Sequence, residues 1–153
     1  MASPALQALY EGNVEQANEL LPADVALDVF EAAAFGKSER LRRLLDDDPS
    51  LAHAYSDDGF TALHLAVFGG AEASVGMLIE RGADLEAVST GPIAQVRPLG
   101  TAAFVRSVRL ARILLEAGAD PDGANPQGAT PMDTARANGD EKLAALLREF
   151  GAA

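Results

Sequence analysis

Cysteine is missing from this chain, and with it go disulfide frameworks, thiolate metal sites and thiol nucleophiles. That usage fits a reducing cytoplasm. The opening residues, Met1-Ala2-Ser3-Pro4, lack a basic stretch followed by an apolar run, and no later segment approaches the length of a membrane span. A soluble, unexported, cytoplasmic protein is expected. Basic residues are scarce as well: 12 Lys and Arg stand against 23 Asp and Glu, a formal charge of -11. Residues 1–36 carry Glu11, Glu15, Glu19, Asp24, Asp28 and Glu31 without one Lys or Arg. Such a field repels phosphate backbones and anionic lipid headgroups, so neither nucleic acid nor a membrane surface is an expected partner. The acidity by itself serves solubility.

What remains is an apolar chain that is interrupted often. The length of 153 residues suits a single domain, 1–153, and 48% hydrophobic content supplies a packed interior, while 14 Gly and 8 Pro exclude one uninterrupted coiled coil. Self-similarity organises these interruptions. The clearest unit begins Asp58-Gly59-Phe60-Thr61-Ala62-Leu63-His64-Leu65-Ala66 and continues from Val75 to Asp84 through Leu78, Ile79, Gly82 and Ala83. Arg97-Pro98-Leu99-Gly100-Thr101-Ala102 and Ile113 to Asp120 repeat it further on, followed by Thr130-Pro131-Met132-Asp133-Thr134-Ala135 and Leu143 to Leu147. Upstream, Asp28 to Ala33 precedes Leu41, Leu44 and Leu45. The expected repeats are residues 26–57, 58–90, 91–124 and 125–150, with residues 3–25 as a degenerate N-terminal capping unit.

Each unit reads as two short antiparallel helices. Ser3, Asp28, Thr61 and Thr130 are good N-caps, and Pro4, Pro98 and Pro131 fall at the first helical position, where a missing N–H costs nothing. Ala33, Ala66, Ala102 and Ala135 let neighbouring helices approach closely, and the following Leu and Ile pairs fill the groove between them. Gly82 and Gly118 close the second helix in a left-handed conformation. In the capping unit Val14, Ala17, Leu20 and Leu21 are expected to face inward. No such unit buries its apolar faces alone, so stacking is obligatory.

Gly59-Phe60-Thr61-Ala62-Leu63-His64-Leu65-Ala66 and Gly82-Ala83-Asp84 resemble the signatures of the ankyrin repeat family. The resemblance covers residues 26–150 strongly and 3–21 weakly. It implies an all-α, ankyrin-type solenoid of stacked helix pairs with projecting hairpin-like fingers, whose concave face binds another protein. It also implies a structural role for Thr61 and His64, whose hydrogen bonds would knit a turn to its neighbour. Glu31, Gly100 and Asp133 stand where His64 stands, Arg97 replaces the capping Thr, and Ser89 to Val96 carries three additional residues with a Gly91-Pro92 pair. An irregular middle finger follows.

Catalytic chemistry finds little purchase. His53 and His64 are the only histidines, and metal-assisted hydrolysis by them with neighbouring carboxylates would need a third converging ligand and an open position. Asp46-Asp47-Asp48 lacks the alternating spacing of a calcium loop, and Gly69-Gly70 lacks the Lys-Ser/Thr of a phosphate loop. No catalytic residue, cofactor or metal is assigned, and the chain is read as non-enzymatic. The informative pattern is aromatic: Tyr10, Phe35, Phe68 and Phe104 each lie two residues after the recurrent alanine, where the last unit has Ala137. Helices about 8–10 Å apart would make them a row, which the resemblance to ankyrin repeats places along the concave face, with Phe60 joining from a finger. Aromatic enrichment on an open surface marks binding hot spots, and the same rings would equally serve as cover for the apolar seam between inner helices and fingers. Asp57, Asp58, Glu86 and Asp122 are the finger charges for an acidic rim. The expected partner of this monomer is a protein or peptide presenting an apolar strip with basic flanks; an inhibitor subunit masking a basic surface is the alternative.

Overall fold

The computed structural model describes residues 1–153. Ten helices form five antiparallel pairs: α1 (Pro4–Tyr10) with α2 (Val14–Glu19), α3 (Val29–Ala34) with α4 (Ser38–Asp47), and α5 (Ala62–Phe68) with α6 (Glu72–Glu80). The last two pairs are α7 (Pro98–Phe104) with α8 (Val108–Glu116) and α9 (Pro131–Ala137) with α10 (Glu141–Glu149). The inner helices α3, α5, α7 and α9 stack in sequence order, as do the outer helices behind them. There is no sheet; the first finger holds one isolated antiparallel bridge, Tyr55 to Thr61. No helix is long and apolar enough to cross a membrane.

Local chemistry explains the helix starts. The side chains of Ser3, Asp28, Thr61 and Thr130 each accept a backbone N–H three residues on, and in the last three the third residue, Glu31, His64 or Asp133, reaches back to the cap. Arg97 provides no such cap. The inner helices also share one ending, a Schellman turn in which the N–H of Asn13, Lys37, Ala71, Ser107 and Asp140 reaches the carbonyl of Ala8, Ala32, Ala66, Ala102 and Ala135. Its left-handed residue is Gly12, Gly36, Gly70 or Gly139, and in the fourth pair it is Arg106 at φ 60°.

Ala32, Ala66, Ala102 and Ala135, with Leu41, Leu45, Leu63, Leu78, Leu114 and Leu147, are fully buried and run as one continuous core from α3 to α10. Two expectations for the capping unit fail. Val14 is 56% exposed and Leu20 45%, because no outer helix packs on the far side of α2, and only Ala17 is buried there. The Asp46-Asp47-Asp48 run has structural duties: Asp46 pairs with Arg81 at 2.7 Å, and Asp48 caps a 3₁₀ turn over Pro49–Ala52.

Candidate protein-binding groove

The inner helices and fingers enclose an open groove of about 300 Å³. Tyr10, Phe60, Leu65 and Phe68 line one end, Phe104 and the finger residue Ile93 its middle, and Asn125, Thr130 and Thr134 the other end. Tyr10 meets the edge of Phe68 at 5.8 Å between centroids and 74°, and lies 5.9 Å from Phe60. Phe104 is 68% exposed and stands open to solvent.

The expected row of four rings is a row of three. Helix α3 is one residue shorter than α5, so Phe35 caps its end instead of occupying its last turn, and Ala34 takes the place held by Tyr10, Phe68 and Phe104. A residue on a helix is about 100° of rotation, enough to turn Phe35 off the groove lining. Its ring packs at the edge of the apolar cluster formed by Leu6, Leu9, Leu65 and Phe60. The small Ala34 leaves the space through which Tyr10 reaches Phe68 directly.

The groove floor is tied down by His64, which is buried. Its Nδ1 accepts the Thr61 N–H at 3.2 Å and lies 2.8 Å from the Thr61 hydroxyl, which leaves Nε2–H to donate to the Val96 carbonyl at 2.9 Å. Burial holds the imidazole pKa below its ordinary value. The irregular finger is equally well anchored. Ser89 is buried, its hydroxyl donates to the Ala94 carbonyl at 2.7 Å and accepts the Val96 N–H at 2.9 Å, and its own N–H reaches the Val96 carbonyl. Gly91 lies against Asp58 and Gly59 so closely that a Cβ on Gly59 or Gly91 would overlap the facing backbone. Thr90 N–H bonds the Gly59 carbonyl at 2.8 Å across this contact. Ile93 and Ala94 are therefore a fixed wall.

The four acidic residues do not form a common rim, and none of them lines the groove. Asp57 is exposed at the first finger tip, 3.3 Å from the terminal ammonium. The Asp58 carboxylate, with one oxygen buried, stands beside the Tyr10 hydroxyl, which has no other polar partner. Burial first, and then the Asp58 charge, raise the Tyr10 pKa far above that of a free phenol. Glu86 is fully engaged: it pairs with Arg97 at 2.8 Å and accepts the Asp120 N–H at 2.7 Å. Asp122 accepts the Ala153 N–H at 3.1 Å. His53 is exposed, and no three His, Asp or Glu side chains gather as a metal site.

With this geometry in view, residues 58–90 match the model of the ankyrin repeat. Residues 58–90 are thus an ankyrin repeat, and the stacked helix pairs around them have the form of an ankyrin-type solenoid. The chain is also 40% identical over 97 residues to ankyrin repeat and SOCS box protein 16 of Mus musculus, across 60% of this chain and 21% of that protein. The chain thus spans about one fifth of that relative's length. An ankyrin-type stack has a general role in protein-protein interaction.

Several lining residues, Ile93, Val96, Thr101, Asn125 and Thr134 among them, escape the sequence argument. Their signal is present but indirect. Gly100 stands where His64 fills the preceding repeat, and the spacing from cap to turn glycine, Asp28 to Gly36 against Thr61 to Gly70, already reports the shorter α3.

Proposed function

We propose that this ankyrin stack holds an extended or helical apolar segment of a partner protein in the groove between Tyr10 and Thr134, with Phe68 and Phe104 as its principal contacts. The carrying observation is Phe104: a large ring left 68% exposed at a groove wall serves no packing need of the stack itself. Basic groups flanking that segment meet the acidic N-terminal end of the stack, where Glu11 follows the Tyr10 ring and Asp57 tips the first finger. Engagement of Glu86 and Asp122 within the protein removes them from that rim and makes the apolar contact the main source of affinity.

Selecting a displayed library of random short peptides on the folded chain tests this reading. Enriched sequences should be apolar with Lys or Arg on one flank, and the Phe68→Ala, Phe104→Ala double variant should bind them about thirty-fold more weakly or worse. Affinity within about two-fold of the parent, in a variant that keeps its helical circular dichroism, would remove the groove from consideration.

A further inference from the structure

The repeat of residues 91–124, which holds the fourth helix pair, departs from the requirements of the stack at two positions flanking Phe104, and both departures work against folding. Gly100 sits inside α7, where its backbone is helical and a Cβ would meet only Val96 at an ordinary 3.5 Å. Neither turn geometry nor crowding calls for glycine there, and glycine weakens a helix interior. Arg106 occupies the left-handed turn position at φ 60°, where the other four repeats use glycine. A side chain there is strained. Phe104, between them, is the large ring exposed on the concave side.

Together these positions make a recess and a charge. Without an imidazole at position 100 the space that His64 fills one repeat earlier is open, and Gly100, Thr101, Phe104, Pro131 and Thr134 border it. The carbonyl corresponding to Val96 in the next finger, that of Ala129, accepts the Asn125 N–H as Val96 accepts that of Ser89, but meets no imidazole. Of the arginines in this repeat, Arg97 pairs with Glu86, Arg109 with Glu72 and Arg112 with Glu149 and Glu116, whereas Arg106 is exposed and has no carboxylate partner. An unpaired cation on a strongly acidic molecule is a feature for an anion brought from outside.

We infer that the repeat of residues 91–124 is the specificity-determining unit: the recess over Gly100 takes one bulky apolar side chain of the partner peptide, and Arg106 pairs with a carboxylate that accompanies it. The inference rests on the groove reading above and gives the bound segment a direction. Its basic flank lies toward Tyr10 and the first finger, and its acidic residue lies toward the α7–α8 turn.

The test restores what the stack would choose for itself. Gly100→His fills the recess, Gly100→Ala serves as the smaller control that improves the helix, and Arg106→Gly relieves the turn. All three should melt at or above the parent temperature, which keeps the result free of folding defects. Against peptides enriched from the random library, the expected sequences pair a bulky apolar residue with a nearby Asp or Glu. Gly100→His should weaken them about thirty-fold and Arg106→Gly about fivefold, with the Arg106 effect lost when the peptide's acid is changed to its amide. If peptides bind through Phe68 and Phe104 but ignore both Gly100→His and Arg106→Gly, the groove reading stands and this inference falls. If no peptide is enriched, or binding ignores the phenylalanines too, both fall.

Discussion

Replacing His64 with Ala should destabilise the protein and also remove a pH dependence. The imidazole bridges two repeats through hydrogen bonds to Thr61 and to the Val96 carbonyl, and its ring is buried. Its removal leaves the Thr61 N–H without an acceptor and the Val96 carbonyl with only the Ser89 N–H, beside a small cavity, together worth about 3 kcal/mol. A chain of this size loses roughly 2–4 °C per kcal/mol, so the melting temperature should fall by roughly 6–12 °C. The acid dependence follows from the depressed pKa. Folded His64 resists protonation, whereas the unfolded chain takes up the proton near the ordinary value of 6.5, so the unfolded state binds more protons as pH falls. Stability is full above about pH 6.5 and declines below it toward the folded pKa. Urea midpoints from far-ultraviolet circular dichroism at about pH 7.5 and pH 5 should show this loss in the parent. The His64→Ala variant should lack that component, and a His53→Ala control, altered at an exposed site, should keep it. Asp133 and Glu149, whose pKa values are lowered by Thr130 and Arg112, lose their contributions from the ordinary carboxylate range downward, below that window. Equal parental midpoints at the two pH values, or an undiminished acid loss in His64→Ala, would refute the assignment.

Leu63→Ala and Leu78→Ala, each at a fully buried position, should cost about 2–5 kcal/mol in urea denaturation through lost burial and a residual cavity. Phe68 and Phe104 should separate in stability: Phe68→Ala loses an edge contact with Tyr10 and costs about 2–4 kcal/mol, while Phe104→Ala, mostly exposed, costs less than about 1 kcal/mol by the same assay. Gly59→Ala should lower the melting temperature and deprotect the Thr90 amide in hydrogen exchange, since a Cβ at φ 86° would meet the Gly91 backbone. Ultraviolet titration should find the Tyr10 phenol ionising well above pH 10, with that late step missing in Tyr10→Phe.

The repeat, the helix pairs and their start points were legible from the sequence because their determinants are local. A cap at Thr61, a proline at Pro131 and an alanine at Ala102 act on residues within a turn or two, and the Leu and Ile spacing declares which face is apolar. Tertiary structure decided whatever depended on a neighbouring unit. The spacing of Val14 and Leu20 marks an apolar face, but only the stack shows that nothing covers it. Glu86 reads as a free finger charge until Arg97 and the Asp120 amide arrive from the next repeat. Phe35 keeps its distance from the recurrent alanine in sequence, yet one missing residue in α3 rotates it off the groove and lets Tyr10 meet Phe68 over Ala34. Helix periodicity specifies direction about one axis alone; which surface lies across from it is set by packing between residues about one repeat or more apart, and there the groove acquired its floor, its wall and its open ring.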